Sequence, residues 1–210
     1  MTDTTLPMPT SPIPTLVYDI GKHRYLNITA RCTLRCQFCP KHNGSKQVHD
    51  YDLSLTKRIT ADDVLPLLGN VHEVEEYVFC GFGEPTLNLD CLLQVAHVIK
   101  AQGGKVRLNT DGLGNHFHRR NILPELSQCI DSLSISLNAD TPESYQQHCR
   151  PKLANSYTAL LDFIKLAPSY ISQVQVSAIN GLANVNIDRC RDIAERNGVV
   201  FKQRELDNIG

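Results

Sequence analysis

The sequence has no tryptophan, an aromatic share of only 6%, and 21 basic side chains set against 22 acidic ones. Each shortage excludes something. Without stacking side chains or a basic excess there is no case for nucleic-acid binding, and a net charge of -1 gives none for an anionic membrane surface. No apolar run approaches the roughly 20 residues a bilayer span needs, and the N-terminus lacks the basic-then-apolar order of a secretory signal. The expectation is a cytoplasmic protein that meets neither nucleic acid nor membrane. What is present, 210 residues of which 41% are hydrophobic and 20% charged, is the composition of a globular chain with one sizeable core.

Eight cysteines in a chain of this length raise the question of a disulfide framework, but such frameworks serve secreted domains too small to build a core. In a reducing compartment, clustered cysteines read instead as metal or redox ligands. Cys80, Cys91, Cys129, Cys149 and Cys190 are scattered, so a second metal cluster is not expected and these side chains read as core. Cys149 adjoins Arg150, and a neighbouring cation lowers a thiol's pKa; the core reading is still the expectation for it.

Residues 1–14 carry four prolines among Thr and Ser and read as a flexible leader, which leaves one domain over 15–210 without repeat or linker. Leu16 to Tyr18 and Tyr25 to Ile28 flank Gly21 as a small hairpin would, the second being the first core strand. Glu76 to Cys80, Val106 to Asn109, Ser132 to Leu137, Val174 to Ile179 and Val199 to Gln203 follow as strands, most nearly continuous in apolar residues, as buried parallel strands are. Helix signals alternate with them: Thr60 to Leu68, Leu92 to Ile99 stopping before Gly103, Ile122 to Ile130, Tyr157 to Leu166, and Ile187 to Asn197 ended by Gly198. A complete eightfold barrel takes about 250 residues. Six strand-helix units, the last helix absent or short, therefore predict an α/β fold: a partial (β/α)6 TIM-type barrel of parallel strands, laterally open. A flat doubly wound sheet has the same periodicity and is the alternative.

Directly after the first core strand comes Arg31-Cys32-Thr33-Leu34-Arg35-Cys36-Gln37-Phe38-Cys39-Pro40, a C-x3-C-x2-C cluster at a strand's C-terminal end. That end is the functional face of a parallel α/β architecture. Three thiolates so close together repel one another unless a metal gathers them. An iron-sulfur cube needs a ligand on each of four irons, and this loop offers three, leaving one iron open to chelation by the amino and carboxylate groups of a small molecule. A structural zinc site of Cys32, Cys36, Cys39 and His42 satisfies the same spacing, and ordinary core thiols are a third reading.

Other strand ends carry polar or glycine-rich residues. The second strand ends Cys80-Gly81-Phe82-Gly83-Glu84-Pro85-Thr86, where glycines let the backbone approach a ligand and Glu84 is placed to accept from an ammonium group. A plain glycine turn explains it too. The third ends Leu108-Asn109-Thr110-Asp111-Gly112 and the fourth Ser134-Ile135-Ser136-Leu137-Asn138-Ala139, with Ser136 and Asn138 on one face by strand alternation and suited to ribose hydroxyls, or acting only as turn caps. Functional sites on barrels assemble from several such ends.

The cysteine spacing with Phe38 before the last Cys, joined to Gly81-Phe82-Gly83-Glu84-Pro85, resembles the radical S-adenosylmethionine (SAM) enzymes. More narrowly, Tyr25-Leu26-Asn27-Ile28-Thr29, Leu108-Asn109-Thr110-Asp111-Gly112-Leu113, Ser134 to Ala139 and Cys149-Arg150-Pro151 are similar to the TatD-associated radical SAM proteins, a likeness that covers nearly everything after about Val17. The resemblance implies a [4Fe-4S] cluster held by Cys32, Cys36 and Cys39, with SAM chelating the open iron. It implies Gly81, Gly83 and Glu84 beside the SAM amino group and the Phe38 backbone against the adenine. Asn109, Asp111, Ser136 and Asn138 are candidate ribose and carboxylate contacts, and Arg150 a partner for a carboxylate. Asp111 stands where related activating enzymes often carry Asn.

The implied mechanism is one-electron reductive cleavage of SAM to a 5'-deoxyadenosyl radical that abstracts hydrogen from a substrate, in a dry, strand-lined interior and with a one-electron reductant such as flavodoxin or ferredoxin. A zinc-stabilised binding module and a non-catalytic iron-sulfur carrier are the other classes. Zinc explains none of the strand-end pattern, and a carrier is usually fully ligated. Six units leave a wider lateral opening than eight, and the chain ends without a capping domain, so a protein or peptide substrate is expected, with glycyl-radical activation ahead of a small metabolite. His116, His118, Arg119 and Arg120 read as a solvated basic loop, and His42 and His49 as neighbours of the cysteine loop's mouth.

Overall fold

The computed structural model describes residues 15–206, so the proline-rich leader lies outside the described residues. The chain starts with β1 (Val17–Ile20) and β2 (His23–Leu26), an antiparallel hairpin whose turn holds Gly21 at φ +60°, a conformation that strains any larger residue. The cysteine loop follows, then a ribbon of β3 (Gln47–Val48) and β4 (Tyr51–Asp52), then α1 (Ala61–Val64). α1 opens as a capping box, with the Thr60 amide and hydroxyl both donating to Asp63 at 2.9 Å. It lasts one turn because Pro66 has no N–H to continue the ladder, and the chain tightens into a 3-10 turn over Leu65–Leu67. The helix expected across Thr60 to Leu68 is therefore mostly not α-helical.

From there strands and helices alternate: β5 (Glu76–Phe79), α2 (Leu89–Ala101), β6 (Val106–Thr110), α3 (Gly114–His118), α4 (Leu123–Leu126), β7 (Ser132–Ser136), α5 (Pro142–Cys149), α6 (Ser156–Leu166), β8 (Gln173–Asn180), α7 (Ile187–Arg196) and β9 (Val200–Glu205). α4 is shorter than the Ile122 to Ile130 expected, while α3 and α5 were not anticipated.

The main sheet runs β1-β2-β5-β6-β7-β8-β9, with β1 antiparallel and every other neighbouring pair parallel. Strand order follows chain order without reversal. Each right-handed crossover then falls on the same side, so the helices coat one face and the other is left concave. A doubly wound sheet reverses at a switch point; this one does not, which decides for the partial barrel. Among the described residues β1 and β9 are the edge strands of this sheet, which leaves the barrel laterally open.

Successive side chains along each strand point to opposite faces of the sheet. Leu26, Tyr77, Phe79, Val106, Leu108, Leu133, Ile135, Val174 and Val176 point toward the helices and are buried in one continuous apolar core. Their neighbours Tyr25, Glu76, Val78, Arg107, Asn109, Ser134, Ser136 and Gln175 line the concave side, where Val78 is fully buried. The concave side also holds the Glu76–Arg107 ion pair at 3.2 Å and the Gln175-to-Ser134 hydrogen bond at 2.9 Å.

Candidate functional site

The loop after β2 carries Cys32, Cys36 and Cys39 to the C-terminal mouth of the sheet, all three half-buried free thiols. Tight turns shape it: the Cys39 amide donates to the Cys36 carbonyl at 3.3 Å, the His42 amide to the Cys39 carbonyl at 2.9 Å, and the Leu34 amide to Cys32 Sγ at 3.4 Å. The end of α5 clamps it from the other side. The Arg35 amide donates to the Cys149 carbonyl at 3.0 Å and the Gln37 amide to His148 at 2.8 Å, so carbonyls left over at the helix terminus are satisfied by the cysteine loop. Lys152 closes the clamp, its amide reaching the Thr33 carbonyl at 3.0 Å and its Nζ the Cys32 carbonyl at 2.9 Å. Sequence reasoning missed this helix, although Thr141-Pro142-Glu143-Ser144 announces it: the Thr141 hydroxyl accepts from the Ser144 amide at 3.1 Å with Pro142 in the first turn.

Glu84 and Asp111 tie the mouth together beneath the thiols. Glu84 is 3% exposed and accepts from the Thr86 amide and hydroxyl at 3.1 and 2.7 Å, the Thr110 hydroxyl at 2.8 Å and the Asp111 amide at 2.6 Å. Its recorded bonds are all to the chain, which makes it the bolt between β5 and β6. Asp111 accepts from the Thr33 hydroxyl and, at 2.9 Å, from the Leu113 amide, and Cys32 Sγ lies 4.0 Å away. Burial pushes both carboxyls up, Glu84 further by its closeness to Asp111.

Gly81 and Gly83 are needed for the chain's own packing. A Cβ on Gly83 would sit 2.0 Å from the Thr29 carbonyl oxygen, and one on Gly81 2.5 Å from Asn27 Oδ1. The glycines let the second strand's end press against the segment that leads into the cysteines. Phe38 is half-buried and packs on the core. Asn109 presents a buried Oδ1 without a hydrogen-bond partner to the concave side. Ser136 is the last residue of β7, but Asn138 lies beyond it at φ +53°, so strand alternation does not pair the two; Asn138 Oδ1 accepts instead from Arg204 at 3.3 Å. Arg150 ends α5 at φ +47° with its side chain exposed.

The basic loop resolves into tethers: His116 Nε2 lies 2.8 Å from the Ala154 carbonyl, His118 Nε2 2.8 Å from that of Thr86, and Arg120 pairs with Glu125. His42 sits exposed in the turn after Cys39, its pKa lowered by burial and then by Lys41, Arg35 and Lys152. His49 is exposed at the tip of the β3–β4 ribbon. A cavity of about 350 Å³ opens beside residues 28–31 and is edged by Lys57, Arg58 and Asn88. A larger one, about 450 Å³, lies at the opposite, N-terminal end of the strands around Glu76, Arg107 and Gln173. Parallel barrels keep their chemistry at the C-terminal end, so the smaller is the relevant neighbour.

The donor set fits an iron-sulfur cluster. Burial raises the thiol pKa values of Cys32 and Cys39, and that of Cys36 is raised first by its hydrogen bond with Cys149 and then by burial; the thiolates need a compensating cation. Between Ile20 and His49 the sequence holds no acidic residue, while Arg31, Arg35, Lys41 and Lys46 surround the cysteines, so the loop is electropositive in a chain of net charge -1. Among the described residues no three His, Cys, Asp or Glu side chains are gathered closely enough to hold a single metal ion. No described helix is long and apolar enough to cross a membrane.

Known proteins share this plan. The family model of the radical SAM superfamily matches residues 26–196. Over 92 residues the chain is 32% identical to the tungsten-containing aldehyde ferredoxin oxidoreductase cofactor-modifying protein of Pyrococcus furiosus, covering 43% of this chain and 24% of that one. It is 30% identical over 135 residues to molybdenum cofactor biosynthesis protein 1 of Bos taurus, covering 62% and 20%. The chain thus spans a quarter or less of these curated relatives. In fold it is similar to Streptococcus suis SuiB bound to S-adenosylmethionine, with a TM-score of 0.64 at 14% identity over 87% of this chain and 40% of the other. A radical SAM methyltransferase from Sphaerobacter thermophilus gives 0.59 at 14% over 90% and 68%.

Proposed function

The chain belongs to the radical SAM superfamily of enzymes, a family that implies an iron-sulfur cluster and SAM, and on that premise we propose that it cleaves SAM reductively to start hydrogen abstraction from a second substrate. The observation that carries this reading is the loop itself: three half-buried free thiols, clamped by the end of α5, at the mouth of an open parallel sheet. Cys32, Cys36 and Cys39 would hold a [4Fe-4S] cluster. Bound there, the cluster supplies the electron and an open iron for SAM.

The other residues bind, orient and exclude. Asn109, with its unpaired Oδ1, and Ser136 face the concave side, where SAM hydroxyls have polar partners. Exposed Arg150 offers a bidentate fork for a carboxylate. Gly81, Gly83, Glu84 and Asp111 hold the mouth in shape around the ligand, and Asn138 and the Phe38 backbone edge it. The electropositive rim of Arg31, Arg35 and Lys46 suits a negatively charged one-electron donor such as flavodoxin or ferredoxin.

For the second substrate, a TatD-associated subfamily member acting on a protein or peptide, as in glycyl-radical activation, fits the open lateral edge; SuiB, similar in fold with a TM-score of 0.63, is described bound to a precursor peptide. The cofactor-modifying names of the curated relatives favour a small polar molecule instead. Anaerobic reconstitution tests the whole reading. Expected are a brown protein with about four irons, SAM-dependent release of 5'-deoxyadenosine, and loss of both on Cys32→Ala, while Cys91→Ala keeps them. Colourless zinc protein, or cleavage that survives Cys32→Ala, overturns it. A mass shift on a co-purified polypeptide selects the peptide substrate, and deuterium transfer into 5'-deoxyadenosine from small extracts alone selects the metabolite.

A further inference from the structure

α5 brings a second group to the cysteines besides its terminal carbonyls. Tyr145 lies one turn before Cys149 on the same face of the helix and is 1% exposed. Its ring packs at 5.4 Å, tilted, against Tyr157, so it is wedged between helices with no route to solvent. Its hydroxyl is buried and has no hydrogen-bond partner among the described residues. Such a group is rare in a native interior and points to an acceptor that arrives from elsewhere. After burial itself, the groups whose ionised forms bear on that hydroxyl and hold its proton on are Cys149, Asp111, Cys36 and Cys32. Of these, Asp111 already accepts from the Thr33 hydroxyl and the Leu113 amide. Three of these four neighbours are sulfurs.

Resting on the cluster reading above, we propose that the Tyr145 hydroxyl is a positioning donor, giving its hydrogen bond to the sulfur shell around the cluster held by Cys32, Cys36 and Cys39 and raising its reduction potential. Sulfur gains acceptor strength when it passes from thiol to thiolate or sulfide, and the gain is greatest in the reduced, more negative cluster. The bond therefore stabilises the reduced state more than the oxidised one. No atom of Tyr145 takes part in SAM cleavage.

The test is an EPR-monitored redox titration of anaerobically reconstituted wild type and Tyr145→Phe at matched iron and sulfide content. A midpoint shifted negative in the variant is expected, together with loss of one exchangeable-deuteron coupling from the wild-type cluster spectrum in D2O. An unshifted midpoint at full iron load overturns the proposal and leaves the cluster reading standing. A wild type that binds no iron-sulfur cluster overturns both. Should Tyr145→Phe fail to load, 3-fluorotyrosine at position 145 keeps shape and hydroxyl while strengthening the donor. Its midpoint should move positive, and no movement is again a refutation.

Discussion

The helix-facing side of the sheet and its concave side are made by the same strands, residue by alternate residue, and differ in chemistry: the first is apolar, while the second sets charged and hydroxyl side chains beside the buried Val78. On β6, Val106 and Leu108 are fully buried against helices while Arg107 and Asn109, which alternate with them, face the hollow. On β7, Leu133 and Ile135 alternate with Ser132, Ser134 and Ser136. Apolar burial, at about 25 cal/mol per Å², gathers on the first side. The second side spends strand positions on ion pairs and hydroxyls that add little to folding, and one of its carbonyl oxygens, Asn109 Oδ1, is left unpaired. A protein keeps such a surface where a polar ligand completes it. The difference separates the residues that hold the barrel together from those free to serve what lies inside.

The comparison breaks most easily at Leu108. Leu108→Ala should cost about 2–5 kcal/mol through lost burial and the cavity left behind, read as a lowered urea midpoint with an unchanged slope. A smaller loss than at Ser134 would show that the core is not on the helix side. Gly83→Ala comes next, because the added methyl meets the Thr29 carbonyl at 2.0 Å and backbone must move. Overpacking costs about 1–3 kcal/mol. Here the displaced segment leads into the cysteines, so iron loading should fall more than thermal stability does.

Glu84 sharpens the comparison through pH. Burial and then Asp111 raise its carboxyl above the ordinary 4.5, so the folded chain binds that proton more tightly than the unfolded one. The sign follows: its contribution favours folding below the unfolded pKa and is lost as pH climbs through the raised one. Cluster-free protein should lose urea resistance between pH 5 and alkaline pH, and Glu84→Gln should flatten that slope. A wild-type profile that rises with pH in this window would contradict the assignment.

Much of this was legible because the outer face writes itself into the sequence. Apolar strand residues located β5 to β9, and the cysteine spacing located the mouth. The alternation in Ser132-Leu133-Ser134-Ile135-Ser136 is equally visible and puts its serines on one face, the side that lines the hollow. α5, spelled PESYQQHC, escaped because its inward face carries Tyr145, His148 and Cys149 in place of an aliphatic stripe, which left only the capping residues to announce it. Pro66 was in plain sight as the reason α1 stops. The tertiary duties of Glu84 and the glycines were beyond any local pattern, since their partners Thr110, Asp111, Asn27 and Thr29 are set by which strands pair.

The smallest expected effect is at Ser134, and its smallness is what makes it informative. Its hydroxyl accepts from Gln175 at 2.9 Å on the concave side. Losing one such bond at a partly buried site costs about 0.5–1.5 kcal/mol, and a half-buried Gln175 amide can turn to water to recover part of it. Ser134→Ala should therefore leave thermal stability within a few degrees of wild type for a domain this size. If the hollow receives the second substrate, turnover of that substrate should fall while SAM cleavage in its absence stays level, because Ser134 lies deeper in the barrel than the mouth that holds the cysteines. A variant that lost stability as Leu108→Ala does would erase the distinction between the faces. One that lost both cleavage and turnover equally would move the substrate out of the hollow and up to the rim.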